Sequence, residues 1–353
     1  MSSGLRFDLK QSDVGWHPDE SEGFFELWDC YCIFEDGYNC VIGFHSRPWY
    51  PLIDYKAEEA NKPLCMVNVI TPDGTSHVFR KSFSDSSFKA SKNTLDVTLG
   101  ENRLLGKFDA NGRYQGLYVK AGDNNIAAEL DFNVKIGTLK LTDREDNLTY
   151  FNPAAKKYFG WFLIGAKSEI EGKLTLNGKT VKVKGLGLNN YNLGNIKLPD
   201  IQSRWFFTQI YAGDYTITCN DSTATKRHNY SHFTPFILWK GDSVMMNTYN
   251  CAAYGEEFTI DPISGGPYPV IETFKAASGD IEVTGYLPAG ALVDNVKFAD
   301  VPGFSCTQEN PCYHYFQFSD AEVVIKKGQQ VEKIKGRAFR EFFWADKWFP
   351  YKK

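Results

Sequence analysis

The chain has 353 residues, of which 42% are hydrophobic and 23% are charged, so it is long enough for two folded domains and its composition argues against disorder. Its net charge of -4, without a basic stripe, argues against a nucleic-acid partner. No apolar run approaches the roughly 20 residues of a membrane span. The opening residues, MSSGLRFDLKQSD, lack the apolar core of a signal peptide, so we expect a cytoplasmic protein, with secretion as the minority alternative.

Strands are predicted along most of the chain. The clearest is IAAELDFNVKI at 126–136, where polar and apolar residues alternate as they do on a strand with one wet and one buried face. Further strands are predicted at 24–34, 38–44, 64–70, 215–219, 281–287 and 321–326. Aromatic residues make up 15% of the chain, which favours strands and suits the lining of a ligand pocket.

Short turns join these strands. Asn177-Gly178, flanked by two alternating arms in 173–185, predicts a two-residue hairpin. Asp36-Gly37, Asp73-Gly74 and Asn111-Gly112 predict others. Sequential strands joined in this way form a meander, and meanders close into barrels because closure removes unpaired edges.

The predicted fold class is all-β, with two antiparallel β-barrels or sandwiches in tandem. The segment IKLPDIQS at 196–203 combines a proline with polar residues between two strand-rich halves. We therefore expect an N-terminal domain at 1–198 and a C-terminal domain at 199–353.

Four stretches resemble the carotenoid 1,2-hydratase (hydroxyneurosporene synthase) superfamily, also called the AttH-like lipocalin superfamily, whose fold is shared by fungal decalin-forming Diels–Alderases. They are GFFELW at 23–28 with Asp36-Gly37-Tyr38, then Pro48 with Trp49 and Tyr50, then YFGW at 158–161 with GKL at 172–174 and GLGLNNYNLGN at 185–195, and finally Gly336 with Glu341. The resemblance implies two lipocalin-like barrels, a ligand cavity within or between them, and an apolar substrate such as a polyene or terpenoid.

The chain departs from the hydratases of that superfamily where their acids lie. They carry a tyrosine and an aspartate in the glycine-rich stretch and a histidine near the tryptophan of the aromatic strand. Here the corresponding positions are Leu188, Asn190 and Phe159, and only Trp161 matches. Protonation of an alkene needs a positioned acid, which asparagine cannot supply. Hydration by the route of that superfamily is therefore disfavoured.

The candidate polar residues lie in the segment 189–195 and in the first strand. Asn190 and Tyr191 are predicted catalytic contacts and Asn192 a substrate contact, because amides and a phenol can hold a substrate carbonyl; the alternative is a polar loop whose asparagines form turns. Period two places Glu26 beside Trp28 on one face of the first strand and Asp29 on the other. Glu26 is a candidate acid or base with a raised pKa if it faces a cavity, and is structural if it faces an arginine.

Five aromatic residues are predicted to form an apolar wall for the substrate: Trp28, Trp49, Tyr50, Trp161 and Trp205. Such a wall holds a flexible chain in one reactive conformation. The alternative is that these rings pack in the cores of the barrels, as most rings do.

No metal or cofactor is expected. The spacings of the eight cysteines do not match a zinc site, and the pair His228 and His232 has no evident third ligand. Buried free thiols are the favoured state of the cysteines, while Cys306 and Cys312 flank a polar loop and could pair under oxidising conditions.

These observations predict a cofactor-independent enzyme of secondary metabolism, a monomer or homodimer, that cyclises or isomerises a hydrophobic small molecule. Two alternatives stay open. A lipocalin-type carrier would bind the same kind of ligand without catalysis, and a hydratase-type lyase would use acids not yet identified.

Overall fold

The computed structural model describes residues 5–48, 62–196, 198–298 and 311–345, with the side chains of 294–298 excepted. Within these ranges, the only helical segments are four 3₁₀ turns, Gln11–Val14, Asp85–Ser87, Leu198–Asp200 and Lys226–His228. The predicted all-β class is confirmed as two curled antiparallel sheets. The chain divides into two compact units, Met1–Tyr50 with Tyr55–Ile196, and Pro51–Asp54 with Lys197–Lys353.

The first unit is built on one sheet. Its strands are β1 (Phe25–Phe34), β2 (Asn39–His45), β3 (Leu64–Ile70), β4 (Ser76–Ser82), β5 (Phe88–Ala90), β6 (Asp96–Leu99), β7 (Asn102–Phe108), β8 (Tyr114–Gly122), β9 (Ile126–Ile136), β10 (Leu139–Lys140), β11 (Leu148–Asn152), β12 (Lys157–Leu176) and β13 (Lys179–Gly194). The order across the sheet is β4-β3-β2-β1-β13-β12-β9-β8-β7-β6-β5, with β10 and β11 paired to β12. Two meanders, β1 to β4 and β5 to β9, are therefore joined by the hairpin of β12 and β13.

That hairpin turns at Asn177-Gly178, as the sequence predicts. Asn177 has φ 51° and Gly178 has φ 74°, the left-handed values that a two-residue type I′ turn requires. The turn fixes the register of two long strands, pairing Leu176 with Lys179 at one end and Phe159 with Gly194 at the other. It thereby brings the asparagine-rich end of β13 beside β1 and β12.

The strands at the centre of this sheet are buried on both faces. All ten residues of β1 and all seven of β2 are buried, whereas β9 alternates between buried and exposed positions from Ala128 onward. One face carries the apolar core, which includes Trp28, Cys30, Phe162 and Tyr191. The opposite face of β1 and β2 is thus also shielded from water, although it carries polar side chains.

The second unit is a sheet of the same kind. Its strands are β14 (Gln202–Ala212), β15 (Tyr215–Ala224), β16 (His232–Phe233), β17 (Phe236–Lys240), β18 (Ser243–Thr248), β19 (Cys251–Ile260), β20 (Pro267–Ser278), β21 (Ile281–Pro288), β22 (Ala291–Phe298), β23 (Cys312–Lys327) and β24 (Gln330–Trp344). The order is β18-β17-β15-β14-β24-β23-β21-β20-β19, with β16 paired to β15 and β22 to β23. Its ring-rich core includes Phe206, Phe274, Tyr315 and Phe342.

Candidate functional site

The predicted site residues of the first unit lie on two opposite faces of the paired strands β1 and β13. The register pairs Trp28 with Tyr191 and Asp29 with Asn190. Because side chains alternate along a strand, Trp28 and Tyr191 face the apolar core while Asp29 and Asn190 face the other way. The predicted site is therefore divided between two groups of residues.

The first group, which we call the polar face, consists of Asp29, His45, Asn190, Asn192 and Trp161. The register aligns these residues across four strands: Leu27 pairs with both His45 and Asn192, and Asn192 pairs with Trp161. Asp29 and Asn190 form the next row. Three predicted residues, Trp161 on β12 and Asn190 and Asn192 on β13, thus share one face with two residues of the β1–β2 hairpin.

Trp161 fixes the orientation of the Asn190 amide. The indole Nε1 donates a hydrogen bond to Oδ1 of Asn190 at 2.7 Å. An indole N–H can only donate, so the amide atom that faces it must be the oxygen. The amide nitrogen of Asn190 has no partner within the described parts of the chain. Asn190 is 6% exposed, so its two N–H donors are held in place on a largely buried side chain.

Asp29 and His45 form a second oriented pair on the polar face. His45 Nε2 lies 2.9 Å from Asp29 Oδ1, and both residues are buried. An ionised carboxylate only accepts hydrogen bonds, so Nε2 is the donor, and in the neutral imidazole Nδ1 then carries the lone pair. His45 Nδ1 is buried and has no hydrogen-bond partner among the described residues. The geometry is that of an imidazole oriented by a carboxylate, with one nitrogen able to accept a proton.

Gly43 makes this aspartate–histidine pair possible. A Cβ atom at Gly43 would lie 2.7 Å from His45 Nε2 and 2.8 Å from Asp29 Oδ1. Sequence reasoning missed His45, although a signal was present. A hairpin centred on Asp36-Gly37 pairs Asp29 with Gly43. In that register His45, two positions after Gly43, lies diagonally opposite Asp29 on the same face.

The second group, which we call the buried acid cluster, consists of His17, Glu26 and Tyr191 on the core side. The Tyr191 hydroxyl donates to Glu26 Oε1. His17 Nδ1 lies 3.0 Å from the same carboxylate oxygen and 2.9 Å from the Tyr191 oxygen. The His17 backbone N–H donates to Glu26 Oε2 at 3.0 Å. Two predicted catalytic residues, Glu26 and Tyr191, are thus in direct contact, and Glu26 faces a phenol and an imidazole.

Burial perturbs all three groups of this cluster. Desolvation raises the pKa of Glu26, although hydrogen bonds from His17 and Tyr191 oppose the rise. Desolvation lowers the pKa of His17, but the nearby Glu26 outweighs it and the net pKa is raised. Burial and the Glu26 charge raise the pKa of Tyr191 well above 10. The cluster therefore keeps its protons to higher pH than the isolated side chains would.

The N-terminal segment holds His17 in place. Trp28 Nε1 donates to the carbonyl of Val14 at 3.0 Å, and Val14 itself is buried in the core. Nearby, the buried ammonium of Lys140 lies 2.7 Å from Asp13 Oδ2. No sequence signal pointed to His17, because its position depends on the packing of an irregular segment against β1. Its side chain is 41% exposed, which connects the cluster to solvent.

The remaining predicted residues lie elsewhere. Trp205 is in the second unit and is 5% exposed. Its ring stacks on Phe343 with centroids 4.0 Å apart, and its Nε1 donates to Glu341 Oε2 at 3.3 Å. Trp49 and Tyr50 lie outside the described residues.

The cysteines take both of the states that the sequence allowed. Free thiols are found at Cys30, Cys32, Cys40, Cys65, Cys219 and Cys251. Cys312 is disulfide-bonded, and its predicted partner Cys306 lies outside the described residues. No cluster of three or more metal-ligating side chains occurs among the residues with described side chains. The same residues contain no helix long and apolar enough to cross a membrane.

Solved structures share the fold of this chain at low sequence identity. An AttH protein from Nitrosomonas europaea is 13% identical with a TM-score of 0.62, and the alignment covers 94% of each chain. CghA is 12% identical with a TM-score of 0.64, over 97% of this chain and 98% of CghA. Kievitone hydratase from Nectria haematococca is 13% identical with a TM-score of 0.58, over 97% of this chain and 94% of the hydratase.

No protein-family model and no curated protein matches the sequence. The expected resemblance to the AttH-like superfamily is confirmed at the level of the fold, over nearly the whole length of the chain.

Proposed function

We propose that this chain is an enzyme that binds an apolar, polyene- or terpenoid-like small molecule and cyclises or isomerises it without a cofactor. The observation that carries the proposal is the amide of Asn190, which Trp161 orients so that its two N–H donors have no partner among the described residues. Donors that are oriented and unpaired on a largely buried side chain are suited to a substrate carbonyl oxygen.

Such a donor acts on the electronic structure of the substrate. A hydrogen bond to the oxygen of a conjugated carbonyl withdraws electron density from the adjoining double bonds and stabilises the charge that develops on oxygen. In a site that excludes water, this stabilisation is larger than in solution and costs no reorganisation. Asn192, one row away on the same face, is the second polar contact that we assign to the substrate.

Aromatic side chains supply the rest of the proposed rate enhancement. A flexible polyene reacts only when its reacting carbons meet, and binding against flat apolar surfaces offsets the entropy of that ordering. We assign this role to Trp161 on the polar face, whereas Trp28 lies on the opposite face of the sheet, in the apolar core.

The aspartate–histidine pair adds a proton acceptor. Isomerisation of an unsaturated carbonyl compound breaks a C–H bond, moves the electron pair towards the carbonyl oxygen and returns the proton at another carbon. His45 Nδ1 would accept that proton, and Asp29 would stabilise the resulting imidazolium. Asn190 would stabilise the charge on oxygen.

The solved structures support an enzyme with a small-molecule substrate. CghA has been crystallised with Sch210972, and kievitone hydratase is named for a reaction on a small molecule. The fold therefore accommodates both ligand binding and catalysis in other chains.

The test is product analysis with candidate polyenes that carry a conjugated carbonyl. Asn190→Ala is expected to lower kcat/KM by about a hundredfold or more, the usual cost of losing one oriented donor. Trp161→Phe keeps a ring but removes the indole donor, and is expected to give a smaller loss. Asn133→Ala on the exposed side of β9 is the matched control and should behave as the parent. Normal turnover by both site variants would refute the assignment of the polar face.

A second candidate, a hydratase, is favoured by the buried acid cluster. Glu26 with a raised pKa, in contact with Tyr191 and with the partly exposed His17, is a chain of groups able to deliver a proton. Reaction in ¹⁸O-labelled water separates the two functions, since a hydratase incorporates the label and a cyclase or isomerase does not. Recovery of bound ligand unchanged after prolonged incubation would instead identify a carrier.

A further inference from the structure

The core of the second unit contains a fully buried polar group that the proposed function does not use. We call it the interior polar group: Thr208, Glu272, Gln317, Ser319 and Arg340, each at most 3% exposed. Strand alternation places it inside the curled sheet. Arg340, for example, lies between Ala338 and Phe342 on β24, and both of these belong to the apolar core.

Arg340 is held by several acceptors. Its Nε donates to Gln317 Oε1 at 2.7 Å, Nη1 donates to the Leu287 carbonyl at 3.2 Å, and Nη2 donates to the Pro269 carbonyl at 3.2 Å. Nη2 also donates to Gln317 Oε1. A guanidinium has five N–H bonds, so one N–H on Nη1 remains without an acceptor among the described residues.

Glu272 is only half satisfied. Its Oε1 accepts a hydrogen bond from the Thr208 hydroxyl at 2.5 Å, while Oε2 is buried without a partner in the described parts of the chain. Arg340 Nη1 lies 3.8 Å from that oxygen, which is too far for a hydrogen bond. The buried hydroxyl of Ser319, on the strand that carries Gln317, likewise has no partner there.

This combination is costly for a purely structural core. A buried ion pair contributes to stability only when its geometry is close and its remaining donors and acceptors are satisfied. Here a donor and an acceptor face each other across 3.8 Å, inside a core of aromatic rings. One hydroxyl oxygen between them would accept from Arg340 Nη1 and donate to Glu272 Oε2, which satisfies both groups at once.

We propose that the interior of the second unit binds a small molecule with an apolar body and one hydroxyl group, the hydroxyl lying between Arg340 and Glu272. The rings of Phe206, Tyr315 and Phe342 belong to the same core and would contact the apolar body. An anionic ligand would be opposed by Glu272 and a hydrocarbon would leave both groups unpaired, so an uncharged alcohol or phenol is the class that fits. This binding is independent of the polar face of the first unit.

The test compares two probes that differ in one hydroxyl, 2-naphthol and 2-methylnaphthalene, by calorimetric titration of the full chain at about pH 8, where Glu272, with a pKa of about 7, is ionised. We expect the phenol to bind about ten- to one-hundredfold more tightly, which is the range for hydrogen bonds to charged groups. Equal affinities, or binding of neither probe with a water between the two groups as the only occupant, would overturn the proposal.

Two variants test whether the preference for the phenol arises at this site. The double variant Glu272→Leu with Arg340→Met removes both charges together, a replacement that buried ion pairs often tolerate, and should abolish the preference for the phenol. Glu272→Gln keeps the shape of the side chain and should reduce the preference at least severalfold. Glu282→Gln, at an exposed position on β21, is the matched control and should leave it unchanged. Asn190→Ala, on the polar face of the first unit, tests the alternative site and should also leave it unchanged. A preference lost in Asn190→Ala but retained in the double variant would place the ligand on the polar face and refute this inference.

Discussion

The carboxyl group of Glu272 should make the stability of the protein depend on pH in a definable way. Burial raises its pKa from 4.5 to about 7, against the opposing charge of Arg340 and with a smaller contribution from Asp221. A carboxyl whose pKa is higher in the folded state than in the unfolded state stabilises the fold fully below pH 4.5. That contribution is lost as the pH rises through about 7. One pKa unit corresponds to about 1.4 kcal/mol, so the loss is about 3 kcal/mol.

Glu272→Gln removes the titration while keeping the shape of the side chain. The measurement is the free energy of unfolding in urea, for parent and variant, at intervals between about pH 4 and pH 8. Arg340 stays charged throughout this range. The loss of its carboxylate partner therefore changes the free energy of unfolding of the variant by an amount that does not depend on pH. Other titrating groups are common to both proteins and cancel in the difference.

The stability of the parent relative to the variant should fall by about 3 kcal/mol across that range, starting near the ordinary pKa of 4.5 and levelling off above the folded pKa of about 7. Glu282→Gln, at an exposed position on β21, is the matched control and should show no such fall. A difference between parent and Glu272→Gln that stays constant with pH would refute the reasoning, because the carboxyl would then be ionised at the same pH in both states.

Three further predictions rest on individual contacts within the two units. Tyr191→Phe removes the hydroxyl that donates to buried Glu26 and should lower the free energy of unfolding by about 2 kcal/mol in urea titrations, whereas an unchanged value would mean that solvent replaces the hydroxyl. Gly43→Ala places a methyl group against the aspartate–histidine pair and should cost about 1–3 kcal/mol by the same measurement; a neutral substitution would contradict the close approach of Gly43 to that pair. The sulfur atoms of Cys219 and Cys251 lie 3.5 Å apart, so mild oxidation with diamide should join them. Peptide mapping should detect that disulfide in the parent and not in Cys251→Ser, and its absence from the parent would contradict the contact.

The local structure could be predicted because it depends on short-range chemistry. The alternation in 126–136 predicts a strand that coincides with β9. The Asn177-Gly178 pair predicts a turn because asparagine and glycine tolerate the positive φ values found there. Each of these features is determined by a few neighbouring residues, and so it can be recognised without knowledge of the rest of the chain.

The candidate site could be predicted only in part. Period two correctly places Glu26 and Trp28 on one face and Asp29 on the other, since alternation is a property of any strand. It does not say which strand pairs with β1. The contact between Glu26 and Tyr191 spans 165 positions and exists because β13 pairs with β1, although β2 is the neighbour of β1 in sequence.

The sequence by itself determined the all-β class, the hairpins and the side of the first strand on which Glu26 lies. Only the tertiary structure decided that Asn190 and Tyr191, neighbours in the chain, belong to different groups of residues, and that His17, His45 and Arg340 take part in buried networks. The physical reason is that turns and alternation follow from backbone preferences over a few residues. The pairing of distant strands is instead selected by the burial of a whole core, to which every residue of the unit contributes.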